Sequence, residues 1–235
     1  MKKNKRILLK LSGESLMGDK SFGLDVKVID HIAYQIKKVS ELNIEICMVV
    51  GGGNIFRGIS GASDGSDRST LDYMGMLATL INALSLQNAL ERISVPTRVQ
   101  SAISVSQIAE PYIRRRAIRH LEKNRVVIFG AGTGNPFFTT DTASSLRASE
   151  MNCDIIIKAT KVEGVYDKDP VIHKDAKLIK NITYKEVINK NIKVMDATAI
   201  TLASESNIPI IVTSLKKENS LVNVLNGIGN YSTIS

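Results

Sequence analysis

The run Gly132-Thr133-Gly134-Asn135-Pro136-Phe137-Phe138-Thr139-Thr140-Asp141 holds more distinct chemistry than any other stretch of the chain. It follows an apolar run typical of a strand, turns twice through glycine and then opens a predicted helix. Backbone amides brought to a helix N-terminus form a site for anions. Because the same run supplies two aromatic rings, two adjacent hydroxyls and a carboxylate, it predicts a pocket for an anionic small molecule rather than a packing segment.

Three other predicted strand ends also carry lysine, arginine or glycine. The first is Lys10-Leu11-Ser12-Gly13, the second runs from Gly51 to Gly58 and includes Arg57, and the third starts at Lys158. In open parallel sheets, ligands bind outside the carboxyl ends of the strands. The convergence of cations and glycines at these ends predicts a site for a polyphosphate.

Two common phosphate motifs do not fit the chain. A Walker A loop requires lysine after its second glycine, but Asp19 follows Gly18. A dinucleotide fingerprint requires a third glycine, and Asn135 stands there after Gly130 and Gly132. Binding of NAD therefore remains only a weak alternative, and we expect glycine turns of another kind to approach the phosphates.

Apolar runs and amphipathic runs alternate along the chain, which predicts strands separated by helices. The predicted strands are 6–11, 44–50, 97–102, 125–131, 154–160 and 208–213. The predicted helices are 26–42, 70–93, 106–123 with a break near Pro111, 140–151 and 197–206. Short, wholly apolar strands predict a mostly parallel sheet that is covered on both faces. We therefore expect an α/β protein with one domain over residues 1–235, arranged as a three-layer α/β/α sandwich.

Composition narrows the possible functions. The chain has 235 residues, is 43% hydrophobic and has a formal net charge of +8, which favours anionic partners. The densest basic cluster, Arg114 to Lys123, has few aromatic neighbours for base stacking, so we interpret it as a solvated helix face and consider nucleic acid an unlikely partner. No apolar run approaches the ~20 residues needed to span a bilayer, which predicts a cytoplasmic protein without membrane contact.

Cysteine and histidine give no sign of a metal site. Cys47 and Cys153 lie beside apolar runs, which predicts reduced, buried thiols. The three histidines lack metal-ligand spacing and nearby acidic partners, so we interpret His31, His120 and His173 as structural or surface residues.

The combination of motifs resembles the bacterial uridylate (UMP) kinases of the amino acid kinase superfamily, from Arg6 to near the C-terminus. The motifs are KLSGE at 10–14, GGGNIFRG at 51–58, DYMGMLAT at 72–79, AGTGNPFFTTD at 131–141, KATKVEGVYDKDP at 158–170 and KVMD at 193–196. The glycine turn alone is weak, because sibling kinases of carbamate, acetylglutamate and aspartate carry similar turns. The pairing of GTGNPFFTTD with DYMGMLAT is the specific part of the resemblance.

The resemblance implies transfer of the γ-phosphoryl group of ATP to UMP in pyrimidine nucleotide biosynthesis. It assigns ATP binding to Lys10, Leu11, Ser12, Gly13, Gly53, Arg57, Thr160, Tyr166 and Asp169. It assigns UMP binding to Gly52, Asp72, Thr133, Gly134, Asn135, Pro136, Phe137, Phe138, Thr139 and Thr140. The expected catalytic residues are Lys10 and Arg57, with Asp141 and Asp196 as candidates to organise Lys10 or the water shell of a metal. Thr139 and Thr140 are expected to recognise uracil.

No protein metal cage is expected, because Mg²⁺ would be held mainly through ATP phosphates and water. The resemblance also implies a homohexamer, GTP activation and UTP inhibition. Several of these residues have plainer interpretations, in which Thr140 or Asp141 caps a helix, the two phenylalanines anchor the core and Asp169 starts a turn. Two other functions remain open, a sibling kinase acting on a carboxylate or carbamate and a nucleotide sensor or nucleic-acid-binding protein without catalysis.

Overall fold

A computed structural model describes residues 5–56 and 65–235 of the chain. Its strands are β1 (Arg6–Leu11), β2 (Glu45–Val50), β3 (Thr97–Ser101), β4 (Glu110–Pro111), β5 (Val126–Gly130), β6 (Ile155–Thr160), β7 (Val165–Tyr166), β8 (Leu178–Ile179), β9 (Asn181–Ile182), β10 (Ile210–Ser214) and β11 (Ser232–Ile234). Its helices are α1 (Val26–Ser40), α2 (Arg68–Arg92), α3 (Arg114–Leu121), α4 (Thr140–Glu150), α5 (Tyr184–Asn189), α6 (Ala197–Glu205) and α7 (Ser220–Leu225).

Within the described residues, nine of the strands form one sheet in the order β4-β3-β5-β2-β1-β6-β10-β11-β9. Neighbouring strands are parallel except for the antiparallel pair β10 and β11. The strands β7 and β8 form a separate antiparallel hairpin. The predicted mostly parallel α/β sheet is confirmed, and β1, which carries Lys10, lies in its middle.

The sheet is covered on both faces, which explains why its strands are apolar on both sides. Along β1, Ile7 and Leu9 pack into a core shared with α1, α2 and α7, whereas Leu8 packs into a second core with α3, α4, α5 and α6. Side chains alternate between the two faces of a strand. Lys10 therefore projects to the same side as Leu8, which is the side covered by α4.

One predicted helix differs from the structure. The helix expected over 106–123 begins only at Arg114, because the segment before it forms the edge strand β4. Pro111 cannot donate to a helical hydrogen bond, and the amide of Tyr112 instead donates to the carbonyl of Ser101 in β3 at 2.8 Å. Proline is tolerated at a sheet edge, where its missing donor faces no partner strand.

The structure also tests the predictions for the cysteines, for His120 and for membrane-spanning helices. Cys47 and Cys153 are both buried free thiols, as predicted. The expectation that His120 lacks an acidic partner is wrong, since its Nε2 lies 3.0 Å from Oε2 of Glu110. Among the described residues, no helix has both the length and the apolar character that crossing a bilayer requires.

Candidate active site

Glycine turns that follow β1 and β2 pack directly against each other at the carboxyl edge of the sheet. A Cβ atom on Gly13 would lie 2.6 Å from the amide nitrogen of Gly53 and 2.5 Å from Oδ1 of Asn54. A Cβ on Gly52 would lie 2.8 Å from both the Ala78 side chain and the Gly75 carbonyl in α2. The absence of side chains therefore lets backbone amides line this edge, which is the arrangement that phosphate binding requires.

Two buried asparagines, which the sequence analysis did not single out, hold the second glycine turn in place. Nδ2 of Asn82 in α2 donates to the Gly51 carbonyl at 2.6 Å and to Oδ1 of Asn54 at 2.7 Å. Nδ2 of Asn54 donates to the Gly23 carbonyl at 2.8 Å. Because buried amide groups require hydrogen-bond partners, these bonds fix the turn to α2.

The charged cluster consists of Lys10 on β1, Lys158 on β6 and Asp141 in the first turn of α4. Lys10 and Lys158 are register partners on adjacent parallel strands, so their side chains emerge side by side. Nζ of Lys10 lies 2.5 Å from Oδ1 of Asp141 and forms an ion pair with it. Nζ of Lys158 donates to Oδ2 of Asp141 at 2.8 Å. The side chains of Lys10, Lys158 and Asp141 are 6%, 11% and 17% exposed.

Burial and charge act in opposite directions on this cluster. Burial raises the pKa of Asp141, but the neighbouring ammonium groups of Lys10 and Lys158 outweigh it and hold that pKa below its ordinary value. Burial lowers the pKa of Lys158, although the Asp141 carboxylate opposes this. The Asp141 carboxylate is therefore ionised at neutral pH, and both lysines contact it.

The loop 132–138 is attached to the start of α2. The amide of Phe137 donates to Oδ2 of Asp72 at 2.7 Å, and Nε of Arg68 lies 3.1 Å from both oxygens of that carboxylate. The Arg68 guanidinium carbon lies 5.7 Å from the centre of the Phe137 ring. Arg68 is a further residue that the motifs do not identify, although its spacing of four residues from Asp72 on one helix indicates the pair.

The two phenylalanines of this loop are not core anchors. Phe137 and Phe138 are 66% and 53% exposed. Phe137 adopts φ +71°, and the neighbouring glycines Gly132 and Gly134 adopt φ +58° and +83°. A non-glycine residue with positive φ at a loop tip is uncommon, and such conformations concentrate at ligand-binding sites.

Thr139 caps α4, so the two alternatives considered from sequence, Thr140 and Asp141, are wrong. Its hydroxyl accepts from the amides of Asp141 at 3.0 Å and Thr142 at 3.2 Å, and it donates to Asp196. Asp196 also accepts from the Thr142 hydroxyl at 3.0 Å and caps α6 through the amide of Ala199. The Thr139 hydroxyl thus both accepts and donates hydrogen bonds within the protein, whereas the Thr140 hydroxyl bonds to no other described residue.

The residues assigned to the donor base lie on two separate segments. Thr160 ends β6, and its hydroxyl donates to the Val162 carbonyl at 2.6 Å. Tyr166 lies in β7, and Asp169 follows it, where its Oδ1 accepts from the amide of Val171 at 2.8 Å in the turn at Pro170. A cavity of about 650 Å³ opens beside this edge, with Leu11 and Thr160 in its wall. Arg57 lies outside the described residues.

The chain matches known proteins over nearly its whole length. The amino acid kinase family model matches residues 5–214. A uridylate kinase from Ruegeria pomeroyi is 57% identical over 98% of this chain and 92% of the relative, and one from Roseobacter denitrificans is 56% identical over 98% and 95%. The crystal structure of UMP kinase from Ureaplasma parvum superposes with a TM-score of 0.93 at 40% identity, covering 99% of each chain. The chain therefore belongs to the amino acid kinase family and, within it, to the uridylate kinases, which are nucleoside monophosphate kinases.

Proposed function

We propose that this chain transfers the γ-phosphoryl group of ATP to UMP, giving ADP and UDP for pyrimidine nucleotide biosynthesis. The main observation that supports this function is the charged cluster. In it, Lys10 lies beside the glycine turns and forms an ion pair with Asp141. A largely buried lysine at the carboxyl edge of a parallel sheet is suited to bind a phosphate that arrives over those turns. The names of the curated relatives support UMP as the acceptor.

The proposed chemistry is electrostatic. The phosphate of UMP is already ionised at neutral pH, so no residue has to remove a proton. The obstacle is the repulsion between two polyanions that must meet in line. Catalysis then comes from holding both substrates in place and from the positive charge of Lys10 and Arg57 on the moving phosphoryl group.

The donor phosphates are assigned to Lys10, Leu11, Ser12, Gly13, Gly53 and Arg57. Thr160, Tyr166 and Asp169 are assigned to adenine and ribose. The cavity beside Leu11 and Thr160 supports part of this assignment, since it opens next to the donor turn. Ser12 already accepts from the amide of Ser15 at 3.2 Å, which fixes the turn that would face the phosphates.

The acceptor is assigned to Gly52, Asp72 and the run from Thr133 to Thr140. Asp72 accepts from the Phe137 amide and pairs with Arg68, and its oxygens have further lone pairs for a ribose hydroxyl. Thr139 is a positioning residue in this proposal, because its hydroxyl is used by α4 and Asp196. Thr140, whose Oγ1 would lie 3.4 Å from a Cβ on Gly51, is left to recognise uracil.

Hydrated Mg²⁺ fits this site better than a metal caged by protein. Both oxygens of Asp141 face lysines, and Asp196 already accepts from Thr142 and Ala199. Within residues 5–56 and 65–235, no three His, Cys, Asp or Glu side chains are grouped to hold a metal. The ion would therefore be held by ATP phosphates and water, with Asp141 and Asp196 near its water shell, and it would supply positive charge to the donor.

The chain is further proposed to act as a homo-oligomer. Tyr73, Met74, Leu77 and Ile81 form a half-exposed apolar stripe on α2, at the spacing of one helix face. Exposed apolar surface of this kind is typical of a protein interface. A hexamer, GTP activation and UTP inhibition are proposed on the resemblance alone.

A single domain over residues 1–235 is supported by β11, which joins the main sheet beyond residue 214. A cytoplasmic location is supported by the two free thiols.

An acceptor panel tests the proposal. ADP release is measured with ATP and Mg²⁺ and with UMP, CMP, AMP or carbamate in turn. We expect kcat/KM for UMP to exceed that for every other acceptor by at least ~100-fold, because a site that pairs with a base edge rejects the wrong base strongly. Turnover with carbamate but not UMP would assign the chain to a sibling activity. Binding of UMP without turnover would favour the sensor.

A further inference from the structure

Lys158 begins one of the cationic strand ends and one of the matched motifs, but it is the member of the charged cluster to which no individual role was assigned. It is the one cation of the strand IIIKAT, and Lys10 likewise stands between apolar neighbours in RILLKL, which begins with Arg6. The two are register partners on β6 and β1. A lysine is almost never this buried unless it is paired, so its position in a central strand requires an explanation.

The contacts of Lys158 connect three separate parts of the chain. Its Nζ donates to Oδ2 of Asp141 at the start of α4 and to the carbonyl of Val194. Val194 lies two residues before Asp196, which caps α6 and bonds to Thr139 and Thr142 at the start of α4. Lys158 therefore ties β6 to both helix starts that border the site.

The two oxygens of Asp141 are divided between the two lysines. Lys158 donates a hydrogen bond to Oδ2, and Lys10 forms an ion pair with Oδ1. The hydrogen bond to Lys158 restrains rotation of the carboxylate. Because an ammonium group carries three hydrogens, Lys10 can contact Oδ1 and still donate to a phosphate.

We propose that Lys158 is a positioning residue for phosphoryl transfer, which holds Oδ2 of Asp141 so that Oδ1 places Lys10. Without Lys158, Asp141 would rotate toward Lys10, pair with it alone and cancel its charge. This inference rests on the proposed function. A misplacement of about 1 Å at a reacting group is enough to cost ~100-fold in rate.

A double-mutant cycle in kcat tests the proposal, with Lys158→Met, Asp141→Asn and the double variant. We expect Lys158→Met to lower kcat about 30-fold with the KM values for ATP and UMP within about threefold of wild type. In the Asp141→Asn background, the same change should lower kcat less than about threefold, because Lys158 acts through Asp141. Lys158→Arg, which keeps the charge and donors, should recover most of the loss.

Lys190→Met is the matched control, since it removes an exposed lysine that pairs with Glu186 away from the site. It should leave kcat unchanged. A Lys158→Met variant with kcat within threefold of wild type would overturn the proposal, as would an equal loss in both backgrounds. If Lys158→Met does not fold, Lys158→Gln gives the same cycle with a polar, uncharged group. Wild-type turnover with UMP tests the proposed function separately from these ratios.

Discussion

The charged cluster and the loop 132–138 border the same site but differ in burial and in the number of contacts that hold them. The cluster is largely buried between two strands and a helix, and its lysines converge on one carboxylate. The loop is held to α2 by the bond from Phe137 to Asp72, and it presents two exposed rings. A rigid charged centre suits a reaction that needs fixed electrostatics, and an exposed loop suits recognition of a substrate that must enter and leave.

The comparison predicts that changes in the cluster affect kcat and stability, whereas changes in the loop affect KM. Asp141→Asn should have the largest of these effects. It leaves two lysines without their counter-charge, so we expect kcat to fall by about 100-fold and the free energy of unfolding to fall by ~3 kcal/mol. Chemical denaturation and steady-state kinetics on the same preparation measure both.

The stability effect of Asp141→Asn should also depend on pH. The pKa of Asp141 is lower in the folded protein than its ordinary value of 3.8, so its ionised form stabilises the fold above that value. This contribution is lost as the pH falls through the folded pKa. The difference in unfolding free energy between wild type and variant should be constant from about pH 7 to about pH 5 and shrink below about pH 4. A difference that grows in acid would contradict the ion pairs with Lys10 and Lys158.

Arg68→Ala should have an intermediate effect that is confined to the loop. It removes the partner of Asp72 and the cation above Phe137, so the loop loses part of its support from α2 but keeps the bond from Phe137 to Asp72. We expect KM for UMP to rise about fivefold, with kcat and the KM for ATP within about twofold of wild type.

Arg92→Ala is the matched control for this change. Arg92 lies at the other end of α2, pairs with Asp30 and is 52% exposed, compared with 48% for Arg68. It should leave KM for UMP unchanged. A fall in kcat for Arg68→Ala with KM unchanged would show that the loop and the cluster are not separate in function.

Thr139→Val and Thr140→Val should give the smallest effects and should separate two adjacent hydroxyls. Thr139→Val removes the cap of α4 and the bond to Asp196, so we expect a loss of ~1 kcal/mol in unfolding free energy. Thr140→Val should change stability by less than ~0.5 kcal/mol, while its ratio of kcat/KM for UMP over CMP falls several-fold. The reverse pattern would return uracil recognition to Thr139.

The strands and glycine turns could be predicted because each is encoded locally. The position of β1 follows from the apolar residues between Arg6 and Leu11, which only Lys10 interrupts. The turns at Gly51 to Gly53 and at Gly132 to Gly134 follow from their glycines. The two-residue strands β7, β8 and β9 are too short to show an alternating pattern, so they were not predicted. Three consecutive residues could cap α4, and only the extended backbone of Thr139 distinguishes it from its neighbours.

The charged cluster could be predicted only in part. Lys10 and Asp141 are recognisable from the motifs that contain them, but their contact requires β1 to lie beside α4. The pairing of Lys10 with Lys158 depends on a strand order in which β6 is adjacent to β1, although about 150 residues separate them. Spacing along the chain carries no information on such a register.

The central claim is that Lys10 supplies charge to a phosphoryl group that moves from ATP to UMP. Its most direct test is the amount of UDP formed from ATP and UMP by wild type and by Lys10→Ala, with thermal unfolding of both. We predict one UDP for each ADP in wild type, and a rate at least ~1,000-fold lower in Lys10→Ala with its melting temperature within a few degrees. A variant that forms UDP at a rate near that of wild type would contradict the claim, as would a variant that is inactive because it has unfolded.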